Sequence, residues 1–405
     1  MYSRLAIKAL RETSKSFSVL LITGPRQVGK TTLLQISAEK NRKYVTLDDL
    51  NARNMAQNDP ALFIKTYKPP VIIDEIQYAP QLFSYIKIAV DREKKKGMFW
   101  LTGSQKFHLM KGITETLAGR VAILDLLGLS QAEIDDRKTN KPFIPTASWI
   151  KQAKKNPKKQ PEEIYRQIWQ GSFPFVNVDK SEKTRQRFYS SYVQTYLQRD
   201  VRDILKISDE TAFYNFLSAI ASRTGQLLNY NDLARDVGID NKTVKSWLSV
   251  LETSGLVYVL NSYHSNLSKR LVKAPKIYFL DSGLCSYLTR WTSVESLQSG
   301  AMSGAILETH IFTEILKSYW NAGMEANFYY YRDADQKEID LIIEADNTLY
   351  PIEFKKTATP SPNLVANFSS LKKFNKKIGH GMVICFVEEA IPLSREVTAI
   401  PIGWL

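Results

Sequence analysis

The chain has 405 residues, 44% of them hydrophobic, and a formal net charge of +14. That length predicts two or three domains. No apolar run reaches the ~20 residues of a membrane-spanning helix, and Met1 to Ser18 lacks a secretory apolar core, so a cytoplasmic protein with no membrane partner is expected.

Taken in chain order, Val19-Leu20-Leu21-Ile22-Thr23 is a short apolar strand running into glycine, and a helix opens at Thr31 with Leu33, Leu34 and Ile36. Further strands are predicted at 44–48, 71–73, 98–102 and 121–125. Apolar strands separated by helical segments argue for a parallel α/β sheet. Residues 137–160 are lysine-rich and broken by Pro142, Pro145 and Pro157, the composition of a solvated loop or lid. Residues 161–222 have helical spacing. A helix over 230–237 ends at Gly238, and Asp240 caps a second helix whose Val244, Trp247, Leu248 and Leu251 share one face. With a strand at 256–260 this is a winged-helix pattern, presenting Asn241, Lys242, Lys245 and Ser246 outward to DNA or to protein. Residues 267–303 read as a connection with one strand, 276–280. From Gly304 the order is helix, strand, hairpin, helix, strand. Cys285 and Cys385 fit neither a metal-ligand spacing nor a disulfide framework.

Gly24-Pro25-Arg26-Gln27-Val28-Gly29-Lys30-Thr31 matches GxxxxGK[ST] between a strand and a helix. Glycines let the backbone wrap a triphosphate with its N–H groups inward, Lys30 sets an ammonium against the β- and γ-phosphates, and Thr31 offers a hydroxyl to Mg2+. Val71-Ile72-Ile73-Asp74-Glu75 supplies a strand ending in two carboxylates. Asp74 is expected to hold Mg2+ through water and Glu75 to polarise the attacking water. Ser104 or Gln105, after the 98–102 strand, is placed to orient that water or merely to cap a turn. Arg120 is either an arginine finger, in its own or a neighbouring subunit, or a surface arginine.

In the last hundred residues, the strands 338–344 and 349–355 with a turn at Asp346-Asn347 bring Asp340 close to Glu353. Glu353 and Lys355 share a face. Asp340 and Glu353, with Glu308 from the preceding helix, would chelate Mg2+, and Lys355 would activate a water against a phosphodiester. Charged residues on a solvated strand face are the plain alternative.

These stretches, with Thr32, Asp74-Glu75-Ile76-Gln77, Leu101-Thr102-Gly103-Ser104, Leu117-Ala118-Gly119-Arg120, Gly171-Ser172-Phe173-Pro174, Tyr196-Leu197-Gln198-Arg199-Asp200, Gly304-Ala305-Ile306-Leu307-Glu308, Glu338-Ile339-Asp340 and Pro351-Ile352-Glu353-Phe354-Lys355, resemble the prokaryotic AAA-type ATPases with a C-terminal domain of unknown function. The resemblance implies a P-loop NTPase parallel sheet (1–135), a helical lid (136–222), a winged helix (223–290) and a small α/β restriction-endonuclease-like domain (300–405), similar to the PD-(D/E)xK nucleases. ATP and Mg2+ are the expected cofactors and DNA the expected partner, with monomer and homo-oligomer both open. The expected activity is ATP hydrolysis coupled to DNA binding and cutting. The alternatives are a non-enzymatic ATP-binding regulator and a metal nuclease gated by its ATPase.

Overall fold

Short strands that are apolar on both faces must be covered by helices on both sides, and β1 (Val19–Thr23), β3 (Val71–Asp74) and β4 (Phe99–Thr102) are buried at every residue. A computed structural model of the chain describes residues 2–103, 113, 116–139, 141–196, 209–264 and 274–405. With β2 (Lys43–Thr46) and β5 (Val121–Asp125), these strands form a parallel sheet of order β2-β3-β4-β1-β5. It belongs to a compact unit of Met1–Lys141, Val250–Leu256 and Tyr319–Met324. Leu21, Ile73, Phe99 and Leu101 meet Phe63, Phe83 and Ile86 in its core. The carboxyl ends of β1, β3, β4 and β5 lie together, the end of a parallel sheet where ligands bind.

The second compact unit comprises Pro142–Ser249, Val257–Ser318 and Glu325–Leu405. The lysine-rich stretch there is more ordered than its composition predicts. Ala147–Ala153 is a helix capped by Thr146, Trp149 packs edge-on to Phe143 at 4.7 Å, and the Asn156 amide donates to the Trp404 carbonyl at 2.7 Å. Two aromatic rings anchor a segment whose charge count alone suggested a loop.

Next come the helices Pro161–Gln170, Glu182–Tyr196 and Glu210–Ala221, then β6 (Gln226–Leu227) and the helices Tyr230–Val237 and Asn241–Thr253. Asn229 caps the first of that helix pair, Gly238 ends it at φ 78°, and the Asp240 carboxylate accepts from the Thr243 amide at 2.8 Å. Val244, Trp247, Leu248 and Leu251 are buried, whereas Asn241, Lys242, Lys245 and Ser246 are exposed, the division read from helical periodicity. Trp247 packs against Phe213 and Phe216. β7 (Val257–Leu260) and β8 (Lys276–Phe279) complete an antiparallel sheet of order β6-β8-β7. The stretch read as a connection also holds two short helices, Ser282–Leu288 and Val294–Ser299.

After the helix Ser303–Asn321 come β9 (Phe328–Arg332), β10 (Glu338–Ala345) and β11 (Thr348–Phe354), then β12 (Lys377–Ile378), β13 (Gly381–Cys385), β14 (Ile391–Pro392) and β15 (Val397–Pro401). They make a mixed sheet of order β14-β15-β13-β11-β10-β9, with β12 beside β11. The β10–β11 hairpin turns at Asp346 and Asn347, both at positive φ, as their tolerance of that region predicts. The expected second helix is a 3-10 run, Pro362–Phe374. Cys285 and Cys385 are free and buried.

The Gly171-Ser172-Phe173-Pro174 stretch has a packing role here. Gly171 has φ 82°, and a Cβ there would stand 2.1 Å from the Tyr189 hydroxyl. Beside it the buried Asp281, N-cap of Ser282–Leu288, accepts from the Ser172 amide at 2.6 Å and hydroxyl at 2.7 Å, the Tyr189 hydroxyl at 2.9 Å and the Leu284 amide at 2.6 Å. Asp281→Ala strands all of these donors, so a loss of about 2–4 kcal/mol is expected. A fall in the thermal unfolding midpoint would register it, and an unchanged midpoint would contradict this role.

Candidate functional site

The segment between β1 and the helix Lys30–Ser37 is shaped by backbone conformations that few residues accept. Gly24 has φ 139°, and a Cβ there would lie 2.0 Å from the Leu126 carbonyl oxygen. Gly29, at φ 91°, is the N-cap of the helix, and Gln27 also takes a left-handed turn, at φ 61°. Lys30 is buried, and its ammonium donates to the Gly24 carbonyl at 3.0 Å and the Pro25 carbonyl at 2.7 Å. It is therefore folded over the loop, at the mouth of the helix. Thr32 points to solvent, one residue past Thr31.

Asp74, last residue of β3, is the hub. Thr31 Oγ1 donates to it from 3.0 Å to either carboxylate oxygen, the Tyr44 hydroxyl donates at 3.0 Å, and the Thr102 hydroxyl donates from the end of β4. Three hydroxyl donors fix the orientation of this carboxylate. Burial and then the charge of Asp74 push the Tyr44 phenol up to about 12. Register sets the meeting with Thr102, because Ile73 pairs with Leu101 and the next residues, Asp74 and Thr102, end their strands, while Tyr44 reaches Asp74 from two residues back on β2, opposite Ile72. Glu75 follows at φ 56°, an uncommon conformation for a non-glycine residue and one that clusters at functional sites. Its amide donates to Thr102 Oγ1 at 3.3 Å, and the Gln77 side-chain amide donates to its carboxylate.

Two residues with no sequence motif support the loop from behind. The buried Arg4 donates to the Val28 carbonyl at 2.7 Å, the Leu127 carbonyl at 2.8 Å and the Glu133 carboxylate at 3.0 Å. Glu133 also closes the capping box of the helix Gln131–Ile134 with Ser130. This pair ties the glycine loop to the segment after β5. Pro25 lies against Gly255, where an added Cβ would stand 3.0 Å from its ring.

Arg120 does not join this site within its own chain. It precedes β5, and Val121 pairs with Val19, so it lies at the amino end of the sheet, about five strand residues or 16 Å from the loop. There its guanidinium holds Asp91 at 2.6 and 3.0 Å. The arginine-finger reading in cis is thereby corrected, because a parallel strand carries its flanking residues to opposite ends. Ser104, Gln105, Arg199 and Asp200 lie outside the described residues.

Glu308 of the helix Ser303–Asn321 converges with Asp340, Glu353 and Lys355 of the C-terminal sheet. The Lys355 ammonium is 2.6 Å from Glu353 and 3.5 Å from Asp340, and Asp340 also accepts from the Phe354 amide at 2.9 Å. Among the described residues no three or more carboxylates, histidines and cysteines are grouped round a metal position. Lys276 of β8 stands among the carboxylates expected to hold the ion. Its buried ammonium stands 3.0 Å from Glu308, 2.6 Å from Glu338 and 3.4 Å from Asp340. Burial alone would strip its proton, but the surrounding negative charge outweighs burial and raises it well above the ordinary lysine range. Burial, and then the Asp340 charge, push the Glu308 carboxyl up to about 7. No pattern in the sequence marks Lys276, which sits in an unremarkable strand.

Residues 16–135 match a family model described as an AAA domain. This segment is similar to AAA domains, in keeping with its glycine loop and parallel sheet. Residues 161–295 and 303–405 each match a model described as a domain of unknown function. An uncharacterized protein of Mycobacterium tuberculosis is 26% identical over 400 residues, 98% of this chain and 83% of that one. One of Haemophilus influenzae is 23% identical over 82% of this chain and 81% of its own length. A Walker-type ATPase of Pyrococcus abyssi overlays with a TM-score of 0.43 at 16% identity, covering 70% of this chain and 94% of that chain. The RuvB Holliday junction branch migration motor of Thermotoga maritima overlays at 0.30 and 18%, covering 63% and 86%. At these scores neither overlay bears on function. Among the described residues no helix is long and apolar enough to cross a membrane.

Arg4→Ala leaves Glu133 buried without its cation and should cost roughly 3 kcal/mol or more. Arg4→Lys should recover only part of it, lacking the guanidinium fork; urea unfolding of the three proteins measures this, and equal stabilities would refute it. Glu308 has a folded-state pKa above its ordinary value of 4.5. Its contribution is full below that value and is lost as pH rises toward about 7. Glu308→Gln should flatten stability against pH across that window, and an unchanged slope would refute the shift.

Proposed function

We propose that the chain is a magnesium-dependent ATP hydrolase whose chemistry occurs at the carboxyl ends of β1, β3 and β4. The observation that carries this is the placement of Thr31 Oγ1 3.0 Å from both Asp74 oxygens, with Lys30 and Glu75 adjacent to the pair in sequence. A hydroxyl beside a carboxylate is the hard oxygen set that suits Mg2+. When bound, Mg2+ supplies neutralisation of the β- and γ-phosphate charge. Thr31 and Asp74 orient it, Tyr44 and Thr102 fix the carboxylate, and Lys30 exchanges the Gly24 and Pro25 carbonyls for phosphate oxygens. Glu75, steadied by Gln77, accepts the proton of a water whose oxygen attacks the γ-phosphorus, while the bridging oxygen leaves with ADP.

The partner in this reading is DNA. A net charge of +14 and the exposed face Asn241, Lys242, Lys245 and Ser246 of a winged-helix arrangement support contact with a phosphate backbone. In this reading DNA contact accompanies ATP turnover, and monomer or homo-oligomer would both serve it.

Lys30→Ala should abolish both nucleotide affinity and turnover. Glu75→Gln should retain binding and lose about 10²–10⁴-fold in turnover. Measuring phosphate release beside binding of a fluorescent ATP analogue separates the two effects. Wild-type protein that binds the analogue with magnesium but never releases phosphate would favour a non-hydrolysing regulator and overturn the enzyme reading.

A further inference from the structure

The C-terminal carboxylates raise a question that the ATPase reading does not touch. A nuclease-type fold would use Glu308, Asp340 and Glu353 to hold a divalent cation, and in this chain those residues do not fit one. An ammonium with three N–H donors already sits among three carboxylates, at 3.0, 2.6 and 3.4 Å. The aim is built in. Lys276 and Tyr278 are two residues apart on β8 and so face the same side, and the Tyr278 hydroxyl donates to the same Glu308 oxygen at 2.6 Å. Residue Lys276 is 2% exposed, too enclosed to leave by a simple rotamer change.

Charge points the same way. Glu308, Glu338, Asp340 and Glu353 face Lys276, Lys355 and, at 3.6 Å from Glu338, Arg332. A divalent ion bound at the usual 2.0–2.6 Å from Glu308 and Asp340 oxygens would lie a few ångströms from the Lys276 ammonium. Like charges so close in a low-dielectric interior repel strongly. Among the described residues no donor meets the buried Glu353 Oε2, which leaves it as an acceptor for a cation once the ammonium is removed.

We propose that Lys276 is an internal counter-cation standing where a divalent metal would be held, so that the native cluster excludes Mg2+ and Mn2+, and that removing the ammonium exposes a latent cation site formed by Glu308, Asp340 and Glu353. The C-terminal domain of the native chain is then no metal nuclease. Lys276 joins β8 to the mixed sheet by charge, and the carboxylates serve that junction. The proposal is independent of ATP chemistry, and its failure would leave the nucleotide site unaffected.

Mn2+ binding to the full chain without nucleotide, followed by the loss of the free-ion electron paramagnetic resonance signal, tests it. Wild type and Asp340→Asn should give the same isotherm. Lys276→Met should gain one equivalent bound at least tenfold more tightly, and Lys276→Met with Asp340→Asn should lose it again. A wild-type equivalent that Asp340→Asn removes would overturn the proposal, as would a folded Lys276→Met that binds no more than wild type. If Lys276→Met does not fold, the unfolding midpoints of wild type and Asp340→Asn with and without MnCl2 decide. A Mn2+-dependent rise in wild type alone overturns the proposal, and no differential rise supports it.

Discussion

A charge taken out of water must be met by opposite charge or by aligned donors, because leaving it unmet costs more than most single contacts return. That constraint organises both halves of this protein. Asp74 is met by the hydroxyls of Thr31, Tyr44 and Thr102, Lys30 by two loop carbonyls, Glu133 by Arg4, and Lys276 by three carboxylates. Each solution fixes a different backbone segment, so local electrostatics and tertiary geometry are the same problem.

The nature of the partners separates the two clusters. Neutral hydroxyls donate to Asp74 and loop carbonyls accept from Lys30, and these bonds can be exchanged for a ligand's oxygens. At the C-terminal cluster the partner is itself a buried ammonium. Displacing it would strand Lys276 among apolar and aromatic neighbours such as Tyr330, whose ring lies 6.0 Å away. The first arrangement suits a site that binds and releases, and the second suits a permanent junction.

Legibility in the sequence follows the range of the interaction. The glycine loop was readable because Gly24 and Gly29 meet their constraints within a few residues of backbone. The same holds for the Asp346-Asn347 turn and the Asp240 cap. The buried and exposed faces of Asn241–Thr253 followed from helical period alone. By contrast Tyr44 and Thr102 become partners of Asp74 only through the alignment of three parallel strands. Arg4 meets Glu133 across 129 positions. The two readings of Arg120 could not be separated from sequence for the same cause: a strand has two ends, and proximity in sequence to a motif does not say which end a flanking residue occupies.

The sequence by itself determined the glycine loop between strand and helix, the five strands of the parallel sheet, the amphipathic helix of the middle region and the convergence of Asp340, Glu353 and Lys355, since each depends on residue type and short-range spacing. Only the tertiary structure decided that Lys276 enters the carboxylate cluster, that Arg120 pairs with Asp91 away from the nucleotide loop, and that two aromatic rings order the lysine-rich segment. Electrostatic partners are chosen by distance in space, and a linear pattern carries no record of which strand from elsewhere in the chain will deliver the cation.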